Sequence, residues 1–178
     1  LVLFIGGGGG AVVSAEAMTA SLEELAKTRP LVVYMNGVAA SGGYYVATPA
    51  RWIVAQPGTI TGSIGVITAK AVAGGLRDKL HVNALEFTRG ANATIFSDSA
   101  PFSDAQRTQM RATVVAIYDQ FVARVAKSRQ LSTVAVDSVS GGRVWTGAQA
   151  LDHHLIDQLG DLQVAIAKAR ELAHLPDD

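Results

Sequence analysis

Apolar residues along this chain fall into two patterns. Residues 1–5 (Leu1-Val2-Leu3-Phe4-Ile5), 31–35 (Leu31-Val32-Val33-Tyr34-Met35) and 52–55 (Trp52-Ile53-Val54-Ala55) are short unbroken runs. Such runs predict strands buried on both faces, as in a parallel sheet. Between and beyond them the apolar positions recur every three or four residues, which predicts helices. One covers residues 14–27 and is stopped by Arg29-Pro30. A short one runs from Tyr44 to Ala47 and ends near Pro49. Residues 66–67 begin another extended piece, 71–80 read as helix and 82–87 as strand. Residues 89–102 are polar and punctuated by Gly, Asn, Ser and Pro, so they read as a loop. A long helix is predicted over 103–129, with Met110, Val114, Tyr118, Phe121, Val122 and Val125 on one face. Ser103 and Gln106 have the spacing of a capping box at its start. Helices over 146–153 and 161–173, with Leu155-Ile156 between them, complete the pattern. Strands alternating with helices predict an α/β fold on a mainly parallel sheet.

Composition narrows the function classes. The 178 residues suit one domain spanning 1–178. The chain opens directly into an apolar run, with neither Met nor a charged leader segment. This leads us to expect a piece of a longer protein. Fifteen Lys+Arg balance fifteen Asp+Glu, so no basic excess exists to drive nucleic-acid binding. The absence of cysteine excludes disulfides and thiolate zinc sites. No apolar run approaches the roughly 20 residues that span a bilayer. Charged residues are only 17% of the chain, and a surface with few charges and zero net charge favours association.

Three segments could carry chemistry. In Gly37-Val38-Ala39-Ala40-Ser41-Gly42-Gly43-Tyr44-Tyr45 a serine lies between a predicted buried strand and a helix start. A helix N-terminus offers free N–H groups and a positive dipole end. The glycines after the serine permit close approach of another backbone or a ligand. Ser41 fits two roles here: the commoner one of helix N-cap, and a nucleophile beside a stabilised oxyanion. The second segment, Gly6 to Gly10, follows a strand and precedes a helix, where N–H groups can cradle an anion. It lacks the Gly-Lys-Ser/Thr of a P-loop and the acidic residue of a dinucleotide site, and a plain flexible connection is the alternative. In the third, Thr61-Gly62-Ser63-Ile64-Gly65, Ser63 could orient a catalytic group or satisfy its own turn.

The titratable residues give weaker signals. Adjacent His153 and His154 point to different faces of a helix, the wrong spacing for paired metal ligands. Asp152 and Asp157 nearby are weak candidates, and no metal or cofactor is expected. Lysine could activate a serine if its pKa is depressed. Lys27, Lys127 and Lys168 fall on predicted helices, where solvation is the default, and Lys79 lies late in a helix. Lys70, after the third segment, is the least easily dismissed.

Taken in order, these motifs resemble the signal peptide peptidase A (protease IV) family. The likeness rests on the Gly-rich turn, Gly37-x-Ala39-Ala40-Ser41-Gly42-Gly43-Tyr44 and Ala55-x-Pro57-x-Thr59-x-Thr61-Gly62-Ser63-Ile64-Gly65. It continues in Gly142-Arg143-Val144-Trp145-Thr146-Gly147-x-x-Ala150 and Leu155-Ile156-Asp157-x-Leu159-Gly160, and so reaches from the first strand to about Ala173. The resemblance implies a Clp-protease/crotonase-like fold and a membrane-bound serine protease with a Ser-Lys dyad that degrades cleaved signal peptides. Ser41 would be the nucleophile, and Ser63 would orient the general-base lysine. The N–H of Gly42, with one from the Gly9/Gly10 turn, would form the oxyanion hole.

Two departures stand out. The family's Asn-Ser-Pro-Gly-Gly turn is here Gly6-Gly7-Gly8-Gly9-Gly10, which loses the rigidity of proline. In the Gly-x-x-Lys stretch of short members this chain has Gly90-Ala91-Asn92-Ala93, so Ala93 stands at the lysine position. Long members hold two such domains, with the serine in the C-terminal half and the lysine in the N-terminal half. The expectation is therefore the serine-bearing half of a long member, nearly inactive alone, with its anchor elsewhere and its catalytic side extracytoplasmic. Its partners would be apolar peptides, the N-terminal half and further copies of itself. Two alternatives belong to other classes. One is a non-catalytic assembly module that binds extended peptide by strand addition. The other is a crotonase-type acyl-CoA enzyme with Glu86 as base.

Overall fold

The computed structural model describes residues 1–176. It is a mixed α/β structure with six strands in one curled, mostly parallel sheet and helices flanking it. Strands are β1 (Val2–Gly7), β2 (Val32–Ala40), β3 (Trp52–Ala55), β4 (Ile60–Gly62), β5 (Val144–Thr146) and β6 (Gln158–Leu159). Helices are α1 (Val12–Ala26), α2 (Gly42–Ala47), α3 (Gly74–Lys79), α4 (Asp104–Arg129), α5 (Thr133–Val139), α6 (Gly147–Asp152) and α7 (Leu162–Leu172). The chain forms two compact units, Leu1–Gly65 with Tyr118 onward, and Val66–Ile117.

In the first unit the sheet is built around β2. Parallel partners β1 and β3 flank its first half, and β4 pairs with its second half. β6 extends the sheet in parallel from β3, and β5 pairs antiparallel with β4. Both faces of β2 are covered, which explains its unbroken apolar run. Val33 and Met35 face a core shared with Tyr44, Ala47, Phe121, Val125, Val136, Leu155 and Ile156. Val32 and Tyr34 face a smaller one closed by Ala165 and Ala169 of α7. The first strand departs from expectation. β1 pairs with β2 alone, so it is an edge strand, only Ile5 in it is buried and Phe4 is exposed.

The elements around the site are fixed by local chemistry. α1 is rich in Ala, Glu, Leu and Met, all strong helix formers, and buries Ala15 and Thr19 one turn apart. Tyr44 is fully buried and donates from its hydroxyl to Leu155 O at 2.7 Å. Burial pushes that phenol well above its ordinary range, so it stays a neutral donor. Arg129 at the end of α4 forks onto Asp157 at 2.6 and 2.9 Å, and Ile53 N donates to the same carboxylate at 2.7 Å. The two side chains are 9% and 19% exposed. Removing one partner of a buried pair strands the other charge. Arg129→Ala is expected to cost about 3 kcal/mol, read as a lower urea midpoint with an unchanged slope.

The second unit buries Gln106 and leaves most of its large apolar side chains exposed, among them Ile67, Leu85 and Phe87. The strand expected over 82–87 is absent. The segment finds no neighbouring strand, and a strand without a ladder leaves its backbone groups unpaired. The capping box forms as read: Gln106 N donates to Ser103 Oγ at 3.2 Å and Ser103 N to Gln106 Oε1 at 3.1 Å. Arg77 forks onto Asp98, while Ser97 and Ser99 hydroxyls donate to Glu86. These donors hold both carboxyls below their ordinary values. The stability they lend is present above the unfolded carboxyl range and is lost as pH falls through the depressed values. Amide protection factors across 74–99, corrected for the intrinsic pH dependence of exchange, are therefore expected to fall below about pH 4, with little change between pH 6 and 8.

Candidate active site

β2 ends by turning into α2, and Ser41 sits at the turn with φ 53° and ψ −120°. This conformation favours glycine; holding another residue there costs on the order of 1–3 kcal/mol. The Ser41 side chain makes no cap hydrogen bond. An N-cap serine has extended backbone and bonds an N–H two or three residues on, so the N-cap role is excluded. The turn is held from the side, where Ser41 N donates to Gly62 O at 2.9 Å. The next residue, Ser63, also has a left-handed φ of 49° and donates its own N–H to Arg143 O at 2.7 Å. β4 thus brings Ser63 to the same end of the sheet as Ser41, the β2–β4 ladder being continued by the Ser41 N to Gly62 O bond.

The Gly-rich turn closes on Ser41 from the other side. A Cβ on Gly9 would lie 2.7 Å from Gly42 N and 2.8 Å from Ser41 Cβ, and Gly9 has φ +104°. A Cβ on Gly42 would lie 3.1 Å from Gly10 N. Two backbone N–H groups, those of Gly10 and Gly42, therefore stand close together beside the serine. Among the described residues no backbone carbonyl takes up either one, as befits N–H groups ahead of a first helical turn. Two free donors beside a hydroxyl can receive the charge of a carbonyl oxygen under attack.

A pocket of about 370 Å³ opens beside these donors. Its walls are Leu3, Phe4 and Ile5 of β1, Met18 and Ala15 of α1, and Val46 of α2, with Gly9, Gly10, Gly42 and Gly43 on its border. Ser14 is the one polar side chain in the lining. The α1 wall was not identified from sequence. Ala11, Ser14, Ala15 and Met18 lie at i, i+3, i+4 and i+7 directly after the glycine run, and that spacing was the available signal.

The remaining candidates fall elsewhere. Ala93 lies in a turn of the second unit. In that unit Lys70 places Nζ 3.3 Å from Thr94 O and 4.8 Å from the Phe102 ring centroid. Lys27 pairs with Glu24, and Lys168 pairs with Glu171 over the Trp52 ring. Glu86 is held by its two serines, and a lowered pKa makes it a poorer base. Asp157, a weak metal candidate by sequence, is taken up by Arg129 and Ile53 N. His153 packs edge-on to Trp145. No group of three or more His, Asp or Glu able to hold a metal occurs among the described residues.

The profile of Peptidase family S49 matches residues 23–176. "Protease 4" of Salmonella typhi is 36% identical over 176 residues, 98% of this chain and 28% of that protein. "Serine protease SPPA, chloroplastic" of Arabidopsis thaliana is 36% identical over 169 residues, 94% of this chain and 25% of its own length. "Protease 4" of Haemophilus influenzae is 34% identical across the whole chain, which spans 29% of it. The chain thus spans between 25% and 29% of the length of these three relatives.

Proposed function

The chain belongs to peptidase family S49, and on that footing we propose that it carries the nucleophile of a serine peptidase. The observation that carries this reading is the strained, uncapped Ser41 beside the paired N–H groups of Gly10 and Gly42. Ser41 Oγ attacks the scissile carbonyl as its proton passes to a base. The negative charge develops on the carbonyl oxygen, which accepts from Gly10 and Gly42 N–H; the C–N bond then breaks, the oxygen returns to a carbonyl, and the leaving amine takes the proton. Water then cleaves the acyl-Ser41 ester by the reverse sequence.

The base is a lysine supplied from outside this chain, since Ala93 occupies the position that a lysine holds in short relatives of signal peptide peptidase A. Ser63 orients that lysine. The sheet-and-helix arrangement is read as a Clp-protease/crotonase-like domain spanning 1–178. Its substrates are apolar peptides such as cleaved signal peptides, which the apolar pocket suits. The catalytic side lies extracytoplasmic at a membrane. No helix among the described residues is long and apolar enough to cross one. The lysine-bearing N-terminal half and neighbouring copies cover the apolar side chains that the second unit leaves exposed.

One observation favours a second reading, that of a non-catalytic peptide-binding module. β1 pairs on one side only and borders the pocket, which suits strand addition. A fluorophosphonate probe on the full-length protein separates the two. The hydrolase predicts covalent label on the peptide containing Ser41. Saturable binding of an apolar peptide without label would support the module instead.

A further inference from the structure

We infer that Thr61 is a positioning residue for Ser41, a role that rests on the hydrolase reading for its catalytic consequence but not for its structural one. The inference starts from an irregularity in β2. Its pairing with β1 runs Ile5↔Met35 and then Gly7↔Ala39, so two residues of β1 are matched against four of β2. The surplus is taken up at Asn36 and Gly37, where Gly37 has φ +61°. The ladder with β3 stops at Met35. The last stretch of β2, which leads straight into Ser41, therefore loses β3 and keeps a single pair with β1, Gly7↔Ala39. It rests on β4, three residues long, through Val38↔Ile60, Ala39↔Thr61 and Ala40↔Gly62.

Two buried threonine hydroxyls reinforce that short ladder on either side of the irregularity. Thr59 Oγ1 donates to Met35 O at 3.2 Å, at the last regular residue. Thr61 Oγ1 donates to Ala39 O at 2.7 Å, two residues before Ser41. Thr59 and Thr61 are 1% and 0% exposed. Thr61 Oγ1 also lies 3.4 Å from Met35 Sδ, a weak acceptor, so its proton goes mainly to the closer Ala39 O, and a buried hydroxyl is strongly tied to the position of the carbonyl it donates to. The carbonyl of Gly62, next to Thr61, in turn accepts from Ser41 N. Thr61 thereby fixes where β2 ends, and with it the strained φ of Ser41 and the direction of the Gly42 N–H. Small displacements of such groups cost large factors in rate.

Three versions of the full-length protein test this: wild type, Thr61→Val, which keeps the shape and removes the donor, and Thr61→Ser, which restores it. In Thr61→Val the rate of fluorophosphonate labelling at Ser41 should fall about 10- to 100-fold. KM for an apolar peptide ester should shift less than about threefold, and Thr61→Ser should recover most of the labelling rate. Amide exchange at Ser41 should quicken at least about tenfold in Thr61→Val, while exchange over 32–35 stays the same. A Thr61→Val protein with wild-type exchange at Ser41 overturns the inference, as does one whose exchange rises equally over 32–35, the mark of plain destabilisation. Wild type that takes no label overturns the hydrolase reading instead, and exchange at Ser41 still decides the role of Thr61.

Discussion

Ser41→Ala should abolish fluorophosphonate labelling of the full-length protein and lower peptide-ester turnover by about 10⁴-fold or more. Removal of a nucleophile leaves only what the paired donors and binding contribute. The companion Ser41→Gly makes the test specific to this turn. Serine is held at φ 53° and ψ −120°, at a cost of about 1–3 kcal/mol. Glycine adopts that conformation freely but loses about 0.5–1 kcal/mol through its wider unfolded ensemble. The net expectation is an inactive protein that is more stable, with Tm raised by about 2–5 °C. Ser41→Ala keeps the strain and should melt near wild type. An N-cap serine would behave in the opposite way, since its loss destabilises the helix it caps. Calorimetry of the two variants, with labelling as the activity readout, separates a strained nucleophile from a structural serine. Retained labelling in Ser41→Ala would place the reactive group elsewhere.

That contrast also marks how far the sequence could be read. Unbroken apolar runs located the centre of the sheet because burial on both faces leaves a signature within one segment: 52–55 is β3 to the residue, and 31–35 holds the first four residues of β2, all buried. The long amphipathic helix and its Ser103–Gln106 cap were legible for the same reason. Features that depend on a distant partner were not. β5 is three residues long and exists because Val144–Thr146 pairs with Ile60–Gly62. Residues 82–87 read as a strand and have no partner strand among the described residues. Leu1–Ile5 is apolar because it lies on a core and borders a pocket, so a run suggesting two buried faces became an edge.

At the site, the segments were found by their residue types, but the role of Ser41 was not decided by them. Ser-Gly-Gly before a helix describes a cap and a nucleophile turn equally well. What bears on the choice is a backbone dihedral, at a turn held by Gly62 O and flanked by Gly9, residues twenty-one and thirty-two positions away. The same holds for the glycine run. Sequence shows five equal glycines, whereas the structure distinguishes them sharply.

Gly9→Ala should lower activity by about 10³-fold or more, while Gly8→Ala should change it less than about threefold. At Gly8 a Cβ meets nothing within 4 Å, and its φ is outside the positive range. Alanine there is tolerated and slightly stiffens the loop, worth about 0.4–1 kcal/mol of stability. At Gly9 a Cβ would stand 2.7 Å from Gly42 N, 2.8 Å from Ser41 Cβ and 3.0 Å from Ala40 O, with φ at +104°. None of these neighbours is the end of a flexible side chain. Relief requires moving either the Gly9–Gly10 turn or the Ser41–Gly42 turn. Each movement separates the two N–H donors and withdraws one from the carbonyl oxygen they serve. Loss of one such donor costs about 10²–10³-fold, and the accompanying shift of Ser41 adds to it. The turn is at the surface, so the core packed on Val33, Met35 and Tyr44 is untouched, and the variant should fold with a near-normal urea slope. The labelling rate at Ser41, measured for both variants at equal folded concentration, gives the comparison. Equal rates for Gly8→Ala and Gly9→Ala would show that the Gly9–Gly10 turn lies outside the reaction, whatever its distance from Ser41.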